Sequence, residues 1–236
     1  ALHRLERHVL RQYAEATDSV QLFERYERMK QRDVQSRWLN IMFMRFPLFD
    51  PDAFLNRTIG WVGKLISPFG AILWAVVVGW AFKLVFENWT LLKEQSEGVL
   101  APQNLPLLYL GLIVVKSLHE FGHAYFCKKF GGEVHVMGIL IMIFTPTPYV
   151  DATSSWSFRS RAQRILVGAA GMIVEVFVAA IAMMIWANSS RGVLHNLCYN
   201  IMFIASVSTV MFNLIPLLRF DGYYILSDLL DIPNLA

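Results

Sequence analysis

Hydrophobic positions along this chain fall in blocks. Four runs, about 69–89, 105–127, 162–187 and 196–218, are apolar almost throughout. Each reaches the roughly 20 residues a helix needs to cross a bilayer. A shorter stretch, 134–144, follows Gly131-Gly132 and precedes Thr145-Pro146-Thr147-Pro148, which reads as a Pro-rich turn. It is too short to span and rich in Val and Ile. It predicts a membrane-dipping β-hairpin or re-entrant segment, whose backbone must be covered by protein.

Upstream the pattern changes. Over about 18–38, Val20, Phe23, Tyr26 and Met29 form an apolar stripe among charges, which predicts a helix. Residues 39–49 are more apolar but interrupted by Arg45 and Pro47. Asp50-Pro51 marks a helix start, with Pro in the first turn. Phe54, Leu55, Ile59, Val62 and Ile66 then lie beside Arg57 and Lys64. That arrangement suits a helix lying on a membrane, and equally a soluble amphipathic helix packed on its neighbours. The predicted fold class is an all-α polytopic membrane protein. It has about four transmembrane helices, a short membrane-dipping β-hairpin and N-terminal amphipathic helices. Residues 1–68 form a cytoplasmic or interfacial region, and 69–236 the transmembrane core.

Composition agrees with this division. The chain is 56% hydrophobic, against about 45–50% for a soluble domain, and its mean hydropathy is +0.44. The net charge of +3 is modest and basic residues do not interleave with an aromatic platform, so nucleic acid is not an expected partner. The two cysteines, Cys127 and Cys198, form no C-x-x-C pair and imply no disulfide framework. Cys127, four residues past His123, is read as a core cysteine rather than a ligand. The opening stretch is charged and polar, unlike a secretory signal peptide. A fragment of a longer protein is one expectation.

Charge bias orients the spans. Residues 1–68 carry 11 Lys+Arg and 8 Asp+Glu. The loop near 87–104 holds Glu87, Glu94 and Glu97 against Lys93, and the link between runs two and three holds Lys128, Lys129, Arg159, Arg161 and Arg164. The turn near 188–195 has only Arg191. The N-terminus, middle link and C-terminus are therefore expected in the cytoplasm.

Run two contains His119-Glu120-Phe121-Gly122-His123. On a helix, positions four apart share a face, so both imidazoles can grip one metal ion. Zinc is the expected ion, one per chain, with Glu120 placed to deprotonate a bound water. Ionisable groups are costly at membrane depth, which makes this cluster a functional site by default. Two histidines are one ligand short of a catalytic zinc site. The topology returns the end of run four, Arg219-Phe220-Asp221-Gly222, to the cytoplasmic side. Asp221 is the expected third ligand. Without the histidine pair it would read as an Asp-Gly turn.

These residues resemble the site-2 protease family of intramembrane zinc metalloproteases, over roughly 105–230. The likeness rests on the pentapeptide, Phe130-Gly131-Gly132, Arg164 to Gly171, Asn213-Leu214-Ile215-Pro216 and Phe220-Asp221-Gly222, in that order. Phe220 stands where the family has Leu. The resemblance is nearest to the bacterial peptide zinc metalloprotease branch. It implies His119, His123 and Asp221 as zinc ligands and Glu120 as the catalytic carboxylate. It also implies Asn213 as a catalytic-site amide near the scissile peptide, with an interhelical hydrogen bond as its plainer role. The family's third core helix often has Gly-Pro and then Asn. Here Gly171-Met172-Ile173-Val174-Glu175 departs from that pattern. Glu175 must be protonated or partnered, as a substrate contact, a support to the ligands or a structural link.

The predicted function is hydrolysis of a peptide bond in or near a membrane segment of a protein or peptide substrate. The setting is the lipid bilayer, as in a bacterial inner membrane with the active site toward the cytoplasm. Secretion-adaptor-like domains or subunits are candidate partners. The 134–144 segment could hold an unwound substrate by strand addition. The rival reading is a non-proteolytic membrane scaffold or export-associated subunit that keeps the fold. A metal transporter ranks lower, because the ligands cluster at one end. His135 and His195 are not expected ligands. Gly168 and Gly171 are expected to permit close packing, and Tyr149 and Asp151 to be structural.

Overall fold

The computed structural model describes residues 43–142, 145–215 and 220–230. The predicted helix over 18–38 and the segment 216–219 lie outside them. The chain groups into two compact units. One takes residues 1–45 and 141–146, of which only strand ends are described. The other, 46–140 with 147–236, holds every helix described here and every residue of the site.

Seven α-helices follow strand β1 (Phe43–Phe49) among the described residues. They are α1 (Asp52–Leu65), α2 (Pro68–Glu87), α3 (Trp89–Ser96), α4 (Leu105–Lys129), α5 (Arg161–Asn188), α6 (Val193–Val207) and α7 (Asp221–Leu230). Strands β2 (Met137–Met142) and β3 (Thr145–Val150) lie between α4 and α5. Four segments are long and apolar enough to cross a membrane: Pro68–Glu87, Pro102–Lys129, Arg161–Asn188 and Val193–Met211. They match the four predicted runs. This is a mostly helical, polytopic membrane protein with a small sheet.

Local chemistry sets the boundaries. Ser67 caps α2 by accepting the Gly70 amide, with Pro68 in the first turn. α4 ends at Gly131, whose φ of 91° is in the left-handed region that favours glycine. The Gly132 amide then returns to the Cys127 carbonyl at 3.0 Å.

Helices α4, α5 and α6 pack on one another, α2 lies along α5, and α7 along α5. One core cluster joins α2, α5 and α6 through Val78, Ala81, Met183, Trp186 and Met202. Another gathers Leu55, Ala124, Cys127, Val134 and Val167 beneath α1. α2 exposes Phe69, Ile72, Val76, Trp80 and Phe86, an apolar face that suits lipid. α1 buries Leu55 and exposes Phe54, Trp61 and Leu65, so it joins both sequence expectations, a packed face and a face fit for a membrane surface.

The sheet corrects two expectations. Thr145-Pro146-Thr147-Pro148 is not a turn after a hairpin but part of β3, the hairpin's second strand. Strand order is β1-β2-β3, so β2 is central and its edges are already paired. Substrate addition along 134–144 through β2 is thereby overturned. Proline lacks an amide hydrogen, and the edge position of β3 tolerates it. At Gly138 a side chain would collide with the Phe46 carbonyl, so glycine permits the close approach of β1 and β2.

Candidate metal centre

The site begins with α4, whose helical spacing puts Lys116, His119 and His123 on one side. Helix α5 can approach that side because two glycines interlock. A Cβ at Gly122 would meet Val174 Cγ2 at 2.9 Å and the Ala170 carbonyl oxygen at 3.0 Å, and a Cβ at Gly171 would run into the His119 ring. Gly122 therefore permits the close approach of the two helices. Gly168 faces Ile225 of α7 in the same manner, at 3.1 Å.

Asp221 arrives from the start of α7. Its Oδ2 lies 3.2 Å from His119 Nε2 and 3.4 Å from His123 Nε2, and the two Nε2 atoms are 3.1 Å apart. His119, His123 and Asp221 form the group of metal-capable side chains found among the described residues. His119 is 4% exposed and His123 9%.

The donor chemistry fits a cation. His123 Nδ1 sits 2.7 Å from the Val167 carbonyl oxygen. A carbonyl can only accept, so Nδ1 carries the hydrogen and Nε2 keeps its lone pair. His119 Nδ1 lies 3.0 Å from Glu175 Oε1, although no hydrogen bond of good geometry reaches that nitrogen. The neighbouring carboxylate favours the same tautomer. Asp221 Oδ2 is buried and has no hydrogen-bond partner. Three electron-rich atoms thus converge without enough protons to join them. A tetrahedral ion with bonds of about 2.0–2.1 Å holds its donors roughly 3.3 Å apart, close to the spacing found here. Two imidazoles and one carboxylate are a zinc-type ligand set that leaves one position open.

Behind His119 lies a buried polar network centred on Glu175, which is fully buried. Glu175 Oε1 accepts from Lys116 Nζ at 2.8 Å and Ser208 Oγ at 3.1 Å. Its Oε2 accepts from Thr209 Oγ1 at 2.6 Å and Asn213 Nδ2 at 3.2 Å. Lys116 also donates to Ser208. Ser208, Thr209 and Asn213 share a π-helical turn, Ser208–Asn213, that follows α6. The widened turn, closed by the Leu214 amide on the Thr209 carbonyl at 2.9 Å, brings all three side chains onto one carboxylate. Glu175 is therefore partnered. Asn213 reaches it with one amide hydrogen.

Glu120 is tied to the sheet. Its Oε2 accepts the Val150 amide at 3.0 Å, from the last residue of β3. Asp151 closes a local turn on the Thr153 amide at 3.0 Å. Cys127 is buried at 3.2 Å from Ser154 Oγ. His135 pairs with Asp50 and Glu133, and His195 stacks on Trp186. None of these three belongs to the metal-capable group. Sequence reasoning missed Lys116, Ser208 and Thr209. Lys116 carried a signal, a lone cation in an apolar run one turn before His119.

A 116-residue segment is 28% identical to the Bacillus subtilis (strain 168) protein named "Putative peptide zinc metalloprotease protein YydH". The segment is 49% of this chain and 44% of that relative, so the match spans less than half of each. No protein family profile and no solved structure matches the chain.

Proposed function

We propose that this chain is the core of an intramembrane zinc metalloprotease of the site-2 protease type, cleaving a protein or peptide substrate in or near its membrane segment. The observation that carries the proposal is the convergence of His119, His123 and the orphaned Asp221 oxygen among helices apolar enough to span a membrane. The resemblance to a protein named for peptide zinc metalloprotease activity supports the same reading.

In this reading His119, His123 and Asp221 hold the ion. A bound zinc supplies a water of lowered pKa and polarises the scissile carbonyl. Glu120 accepts the proton of the attacking water and passes it to the leaving amine. The Val150 amide fixes the Glu120 carboxylate while it does so. Glu175, 3.0 Å from His119 Nδ1, would orient His119, and Lys116 balances the Glu175 charge. Asn213 steadies Glu175 with one hydrogen. The cytoplasmic placement of the site follows from the Lys/Arg bias alone.

The test is metal content and cleavage in purified protein, wild type beside Glu120→Gln. The expected result is one zinc per chain in both, with cleavage of a membrane substrate lost only in the variant, by at least 100-fold. Equal cellular function in both would favour the non-proteolytic scaffold or export role. Absence of zinc in the wild type after metal is supplied would overturn the metal centre itself.

A further inference from the structure

Beside the metal helix, on the face away from Glu175, lies an apolar cavity of about 670 Å³ among α1, α2, α4 and α5. Leu65, Trp74, Leu118, Phe121, Val174 and Phe177 contribute to its walls. Its larger polar groups are already engaged. Trp74 Nε1 donates to the Ile173 carbonyl at 2.9 Å, and the Tyr125 hydroxyl is 2.9 Å from Thr58 Oγ1. The walls therefore offer little to an occupant that needs hydrogen bonds, such as an unwound peptide. An α-helix with its side chains is about 10 Å across, so this volume would hold roughly a turn and a half of one. A flexible hydrocarbon chain meets neither difficulty.

A second pocket, of about 470 Å³, adjoins the first at Ser67. Its lining includes Lys64 and Lys129 with Gly60 and Gly63, and it contains no carboxylate. Lys129 reaches over Gly63, where a Cβ would lie 3.4 Å from its Nζ. Among the described residues neither lysine has an acidic partner, whereas the adjacent Lys128 is committed to Asp52 at 2.6 Å. Lys129 is also the last residue of α4, the level at which a spanning helix meets the headgroups. The neighbouring α1 turns Trp61 and Leu65 outward there, as an interfacial anchor does.

We propose that the two pockets together bind one anionic phospholipid, with an acyl chain in the apolar cavity and the phosphate between Lys64 and Lys129. The charge complementarity is that of a basic pocket at a helix end. The chain would pack against Phe121 and Gly122, both cavity-lining members of the metal-binding pentapeptide. Occupancy of this site does not depend on the protein being a protease.

The experiment is native mass spectrometry of the full-length protein in detergent with phosphatidylglycerol or phosphatidylcholine of identical chains. The wild type should retain one phosphatidylglycerol about thirtyfold better than phosphatidylcholine at low salt, because two lysines meet a net negative headgroup in the first and a phosphate offset by its own choline ammonium in the second, and less so at high salt. Lys64→Gln with Lys129→Gln should erase that preference. Ala71→Trp, which fills the apolar cavity, should reduce retention of both lipids, with circular dichroism checking that the helices persist. Equal retention of the two lipids by the wild type would overturn the proposal. So would an Ala71→Trp variant that stays folded, keeps its phosphatidylglycerol and instead loses binding of a transmembrane peptide, which would assign the cavity to substrate.

Discussion

Two buried polar clusters mark opposite ends of the helical core, and they are built differently. At one end Asn104 and Asn200 exchange amide hydrogen bonds at 3.0 and 2.9 Å. Gln95 accepts from Trp186 and donates to Asn196, and the Tyr199 hydroxyl donates to the Leu92 carbonyl. Every group in that set is neutral and partnered. At the other end the cluster around Glu175 and His119 is charged, and it leaves Asp221 Oδ2, which faces both histidine Nε2 atoms, without a hydrogen bond. A closed neutral network needs nothing more and joins helices. A charged network with an orphaned buried atom marks a place where another group belongs. The contrast separates structure from chemistry without appeal to a sequence motif.

The sharpest way to break the comparison is Gly171→Ala. The added methyl occupies the space of the His119 ring, so the ring must turn out of its position beside Asp221. Zinc affinity, measured by competition with a chromophoric chelator, should fall by about 100-fold, at the upper end of effects on ligand-orienting groups. Helix content should stay near that of the wild type. Unchanged affinity would mean that His119 does not bind in the geometry described.

Asn200→Ala addresses the opposite end. It takes away the donor to Asn104 Oδ1 in a part-buried site, while Asn104 Nδ2 keeps the Val99 carbonyl at 2.8 Å, and the unpaired oxygen costs about 1 kcal/mol. Unfolding in mixed detergent should shift accordingly, while zinc affinity stays within twofold. A parallel loss of zinc would show that the two clusters are one cooperative unit.

The same contrast explains what could be read in the sequence. The four spans were legible because twenty consecutive apolar residues have few alternatives. The histidine pair was legible because its spacing is local, and Asp221 because topology restricts which loop ends share a depth. Ser208 and Thr209 were not, since polar residues in an apolar run look alike until a π-turn aims them at one carboxylate. β3 was misread because Pro146 and Pro148 usually punctuate turns, and only their place in the sheet shows that an edge strand holds them. β1 pairs with residues some ninety positions away, and no local pattern announces such a partner.

A third charged contact, at the water edge, sharpens the distinction by its response to pH. Asp52 of α1 accepts from Lys128 of α4 at 2.6 Å and from the Val134 amide at 3.2 Å. The Lys128 hydrogen bond is the main cause that holds the Asp52 carboxyl below its ordinary value of 3.8, against an opposing push from partial burial. A carboxyl depressed in the folded state contributes its stability in full above the unfolded value, and loses it as pH falls through the folded one. The α1–α4 contact should therefore weaken below about pH 3.8, while the neutral Asn104–Asn200 pair does not respond. The effect should be the smallest of the set, about 1 kcal/mol or less, because both side chains keep some access to solvent. Hydrogen exchange of α1 amides, wild type against Asp52→Asn at matched pH, measures it. The wild type should be the better protected at pH 6, and the gap should narrow as pH falls below 3.8. A gap of the same size at pH 6 and at pH 3 would place the tether in packing rather than in charge.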